Sequence, residues 1–106
     1  MTPILKVQNK TYEIDEDNFL VDAGQWDADF AAALAPLAGI RGGLTDLHWK
    51  ALDFIRKGYL EDGSCPLVHS TCRVCRLSLK GFARLFPSGY RWACRMAGVC
   101  YIPGDS

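Results

Sequence analysis

The chain contains no long apolar run. Its longest uncharged stretch, Phe30 to Ile40, is 11 residues and includes Pro36, whereas a membrane helix needs about 20. Met1-Thr2-Pro3-Ile4-Leu5-Lys6 has neither the basic start nor the apolar segment of a secretory signal. No membrane association is expected, and the expected location is cytoplasmic. Internal repeats and low-complexity segments are missing as well. So are paired catalytic carboxylates, a Ser-His-Asp set, a phosphate-cradling glycine loop and a dinucleotide fingerprint. A stand-alone enzyme is therefore not expected, and no cofactor is implied.

Net charge is also lacking, since 12 basic residues balance 12 acidic ones. The balance hides a segregation. Residues 1–65 hold eleven acids against six bases, whereas residues 66–95 hold Arg73, Arg76, Lys80, Arg84, Arg91 and Arg95 and no acid. Either the basic half meets an anionic partner, or the two halves face each other within the fold.

The 106 residues, 49% apolar and 23% charged, suffice for one domain with one core. Ile4–Val7 and Thr11–Ile14 are β-rich runs around Asn9, a hairpin signature. Asp27 caps a helix to about Leu34 that places Phe30, Leu34 and Leu37 on one side and is stopped by Pro36. Thr45 caps the clearest element, in which His48, Leu52, Ile55 and Tyr59 recur at helical spacing to about Leu60. His48, at the third position of that helix, reads as a structural or capping residue. Trp26, Trp49 and Trp92 read as core and subdomain-junction aromatics. Short helices are expected over 66–75, 78–85 and 90–97, with Gly98 as the terminator of the last. The fold class is α+β: an N-terminal hairpin packed on a mostly helical bundle. Residues 1–98 form the body and 99–106 a flexible C-terminal arm.

Five cysteines (Cys65, Cys72, Cys75, Cys94 and Cys100) crowd into the last 42 residues. Without a secretory signal they are expected to be thiols. Cys72 and Cys75 form a C-x-x-C with His69 and Cys65 nearby. Zinc or an iron–sulfur cluster, a redox pair and simple helix packing all remain open for them. No second C-x-x-C follows, and on a helix positions 69, 72 and 75 rotate away from a common point, so no metal is expected.

Several segments together resemble one family. Asp15-Glu16-Asp17-Asn18-Phe19-Leu20, Gln25-Trp26, Leu44-Thr45-Asp46-Leu47-His48-Trp49, Phe54-Ile55-Arg56, Leu85-Phe86-Pro87-Ser88-Gly89 and Ala93-Cys94-Arg95-Met96-Ala97-Gly98 stand in the order found in the DsrC/TusE family of small sulfur-relay proteins. The resemblance implies a helix-turn-helix-like bundle, a C-terminal arm that carries sulfur on cysteine, and a sulfite-reductase-like complex or a sulfurtransferase as partner. It also exposes a departure. The penultimate position, usually the sulfur-carrying cysteine, holds Asp105, and the cysteine of the tail is Cys100.

Cys94, matching the family's arm-base cysteine, and Cys100 are accordingly the candidate reactive residues. Arg91 and Arg95 flank Cys94, and a nearby guanidinium favours thiolate, although a place late in a helix opposes it. Two alternatives stand beside sulfur relay. One is a docking subunit that carries no sulfur. The other is a regulatory DNA-binding protein that uses Arg73, Arg76, Lys80 and Arg84 on consecutive short helices.

Overall fold

The structure is a computed structural model that describes residues 4–99 apart from Gln8 and Asn18. Asp105, Cys100 and the rest of the expected arm after Val99 lie outside the described residues. Strands β1 (Ile4–Val7) and β2 (Lys10–Glu13) pair antiparallel, with Ile4 opposite Glu13 and Val7 opposite Lys10. A bridge between Ile14 and Leu20 and a 3₁₀ turn at Ala23–Gln25 lead into α1 (Ala28–Leu34). Helices α2 (Asp46–Asp62), α3 (Val68–Cys75), α4 (Leu79–Leu85) and α5 (Tyr90–Met96) complete the bundle. The α+β hairpin-and-bundle class is the one read from sequence.

A two-stranded hairpin is marginal by itself and needs a helix beneath it. Tyr12, the buried residue of β2, meets Phe30 edge-on at 5.1 Å between ring centroids. Its hydroxyl donates to Asp27 Oδ1 at 2.6 Å, and the same oxygen accepts the Phe30 amide at 3.0 Å as the cap of α1. Lys10 reaches Asp27 at 3.0 Å and Asp29 at 2.8 Å. The Tyr12 hydrogen bond holds the Asp27 carboxyl below its ordinary range, while burial and the carboxylate push the Tyr12 phenol up to about 12.

Phe30, Leu34, Leu52, Ile55, Phe86 and Met96 form the centre of the core, all essentially without solvent contact. Leu37, expected on the inner side of α1, is instead exposed. Pro36 ends the helix, and the turns that follow bring Ala38 and Ile40 inward in its place. Thr45 and His48 form a capping box: Thr45 Oγ1 accepts the His48 amide at 3.4 Å, and His48 Nδ1 accepts the Thr45 amide at 3.0 Å. Imidazole thus takes the place usually held by Glu or Gln. His48 Nε2 then lies 2.8 Å from the Leu85 carbonyl, tying the start of α2 to the end of α4.

Pro66, expected in the first turn of α3, lies ahead of it. Its carbonyl accepts a hydrogen bond from the Tyr90 hydroxyl. Its ring packs on Gly58 so closely that a Cβ there would fall 2.5 Å from Pro66 Cγ. Among the described residues no helix is long and apolar enough to cross a membrane.

Candidate functional site

The end of α5 is held by two side chains that arrive from elsewhere in the chain. Helix termini leave carbonyls without intrahelical partners. Here the Trp26 indole donates to the Met96 carbonyl at 2.7 Å, and Arg56 Nη1 donates to the Ala97 carbonyl at 3.2 Å. Arg56 also donates through Nη2 to the Ala23 carbonyl at 2.8 Å and lies 4.6 Å above the Trp26 ring. Partial burial lowers the affinity of Arg56 for its proton, and the two carbonyls and the ring face supply what water would otherwise give.

Gly98 completes this clamp. Its φ is +73°, and a Cβ would lie 2.3 Å from Trp26 Cδ1, so only glycine fits between helix and indole. The Val99 amide closes back on the Cys94 carbonyl at 3.2 Å, and Val99 is buried. The chain is therefore held at a fixed point through Val99. Beside that point lies an open groove of about 480 Å³ lined by Trp26, Asp53, Arg56, Lys57, Leu60 and Glu61.

Cys94 lies directly beneath this point, its carbonyl under the Val99 amide. It has no solvent contact, and the side chain that shifts its thiol most is that of Cys65, in the loop between α2 and α3. The interaction splits the two thiols. Cys65, half-buried, is pulled down by Cys94, while Cys94 is pushed well up by the same interaction and by burial.

The expected help from flanking arginines does not reach Cys94. Arg95 donates to the Asp17 carbonyl at 2.7 Å and lies against the rings of Phe19 and Trp92, and Arg91 sits 3.7 Å from Asp17. Both guanidiniums leave α5 toward the acidic turn after the hairpin, so part of the segregated charge is answered within the fold. Cys100, the other candidate, lies outside the described residues. The sequence reading missed Cys65 as the neighbour of Cys94.

Cys72 and Cys75 face the core from α3, whereas His69 between them and the loop is exposed. Among the described residues no three His, Cys, Asp or Glu side chains converge as metal ligands would. Arg73, Arg76, Lys80 and Arg84 are exposed on α3, α4 and the turn between them. Arg76 takes a left-handed conformation there (φ 56°) and closes α3, with the Leu77 amide on the Cys72 carbonyl at 2.8 Å.

Fold and site together define a class: a small helical body, fronted by a hairpin, whose chain up to Val99 is held by a tryptophan–arginine clamp above a buried thiol. The family model described as DsrC like protein matches residues 6–102, and the chain belongs to that family. It is 33% identical over 93 residues to the gamma subunit of dissimilatory-type sulfite reductase of Nitratidesulfovibrio vulgaris, covering 87% of this chain and 88% of that one. Against the sulfurtransferase TusE homolog of Haemophilus influenzae it is 33% identical over 104 residues, covering 91% and 94%. The crystal structure of the oxidized gamma subunit of dissimilatory sulfite reductase (DsrC) from Archaeoglobus fulgidus superposes with a TM-score of 0.85 at 32% identity, covering 98% of this chain and all of that one. These similarities lend nothing to the DNA-binding alternative.

Proposed function

We propose that this protein is a sulfur-relay subunit that accepts or hands on sulfur through the thiols at its arm root, Cys94 and Cys100, while docked on a sulfite-reductase-like complex or a sulfurtransferase in the cytoplasm. The observation that carries the reading is the clamp. Trp26, Arg56 and Gly98 spend their polar and conformational resources on fixing where the C-terminal segment begins. A carrier needs such a fixed origin, because a partner must find the loaded thiol at a reproducible place. The sulfite reductase subunit and the TusE homolog to which the chain is similar support this choice of partner class.

The division of labour follows from burial. Cys94 is shut in the body, so uptake from a donor falls to Cys100, and Cys94 stands behind it. Asp105 cannot carry a persulfide, which leaves Cys100 as the thiol of the segment after Val99. The test is incubation of the full chain with a low-molecular-weight persulfide, followed by intact mass and peptide mapping. The expected result is an adduct of about 32 Da, one sulfur added by exchange at Cys100. Absence of any adduct would replace relay with a docking role that carries no sulfur.

A further inference from the structure

We propose that Cys65 and Cys94 form a thiol–disulfide exchange site for small disulfides, with Cys65 attacking at the surface and Cys94 resolving from the core. This goes beyond sulfur relay and does not depend on it.

The argument begins with α5. Tyr90 and Cys94 are one turn apart and share a face of that helix. The Tyr90 hydroxyl holds the Pro66 carbonyl, and Cys94, one turn on, lies on the side of Cys65, the residue before Pro66, with which its thiol interacts. Two neighbouring side chains of α5 thus grip two neighbouring residues of one loop. Thr71 of α3 adds a contact to the Tyr90 hydroxyl at 3.1 Å, and the Pro66 ring is pressed on Gly58 of α2. Three helices fix the loop, so Cys65 is held against the face of α5 that carries Cys94 before any reaction. Cys65 is half-buried and reachable, whereas Cys94 is not. The interaction with Cys94 favours the Cys65 thiolate, the nucleophilic form.

In the first step the Cys65 thiolate attacks one sulfur of R–S–S–R. A Cys65–S–S–R bond forms, the R–S–S–R bond breaks and RS⁻ departs. In the second step the Cys94 sulfur attacks the Cys65 sulfur, its proton passes to the second leaving RS⁻, and the intramolecular disulfide closes. The two thiols lose two electrons and two protons, and the small disulfide becomes two thiols.

The experiment uses glutathione disulfide on the full chain, with alkylation, digestion and mapping of linked peptides. A Cys65–Cys94 link and a mass lower by about 2 Da, two hydrogens removed by exchange, are expected. Cys100→Ser should form the link within about twofold of the parent rate, and Cys65→Ser should not modify Cys94. Tyr90→Phe should slow closure by about tenfold as the loop loses its grip. A mixed disulfide that stays on Cys65, a Cys94–Cys100 link formed in preference, or an unchanged rate in Tyr90→Phe would overturn the proposal. The relay reading fails on a different result, the absence of sulfur uptake from a persulfide.

Discussion

Two pairs of thiols share one small core, and they differ in everything except residue type. Cys72 and Cys75 are close in sequence, lie on a single helix and both face inward, where burial pushes the Cys75 thiol up and Lys50 only partly opposes it. Cys65 and Cys94 are distant in sequence and come from a loop and a different helix, yet each shifts the other's thiol, and one of the two remains reachable. Reactivity follows the surroundings of sulfur, not the spacing of cysteines. A C-x-x-C becomes reactive when its first cysteine is presented at an exposed helix start. In α3 the helix begins at Val68, so Cys72 falls a turn later and inward.

The sharpest way to break this contrast is native alkylation. Iodoacetamide followed by mass spectrometry should label Cys65 faster than Cys72 or Cys75 by on the order of 10³-fold, since the inner pair reacts only through opening of the fold. Preferential labelling of Cys72 would reverse the assignment.

The next effect is on stability. Gly98→Ala should cost roughly 3 kcal/mol in urea unfolding, from a left-handed backbone and a clash with Trp26. It should also open Cys94 to alkylation while leaving Cys72 protected. Gly63→Ala, with a similar φ of +76° but no atom within 4 Å, should cost only about 1 kcal/mol.

Tyr90→Phe comes third. It strips the Pro66 carbonyl and the Thr71 hydroxyl of a partner, and about 1–2 kcal/mol should be lost. Cys65 labelling should change in this variant, and labelling of the inner pair should not.

The smallest effect is a control on pH. The fold raises the Tyr12 phenol from 10.0 to about 12, so the latch between hairpin and α1 is intact below pH 10 and weakens as pH climbs toward 12. Asp27 is shifted the other way, so its contribution is present above its ordinary value of 3.8 and is lost as pH falls below it. Between pH 6 and 9 the latch should be flat. Any change in Cys65 labelling across that window then belongs to the thiols, and a parallel change in unfolding midpoint would contradict this.

The parts of the molecule legible in sequence are those that local chemistry decides. Asp27 and Thr45 cap their helices through their own side chains, and Gly98 ends α5, all within a few residues of the signal. The site was half legible. Cys94 and the end of its helix could be placed, because the run from Ala93 to Gly98 carries its own pattern. The reach of Arg56 and Trp26 to the carbonyls of α5, and the meeting of Cys65 with Cys94, could not, since each depends on how α2 and its loop lie across α5. Leu37 failed for a related reason: periodicity continued it past Pro36, where the helix no longer existed.

The burial of Val99 also bears on reach. Successive Cα atoms are 3.8 Å apart, and an extended chain gains about 3.3–3.6 Å per residue. A thiol at position 100 is one step from an anchored residue, so it is confined to within about 4 Å of the body plus the length of its own side chain. Six residues on from Val99, position 105 has a maximum covalent span of roughly 20 Å. Moving the cysteine from one position to the other shortens the tether about fivefold. Under the proposed relay through Cys100, a partner's reacting atom must therefore come within a one-residue reach of Val99.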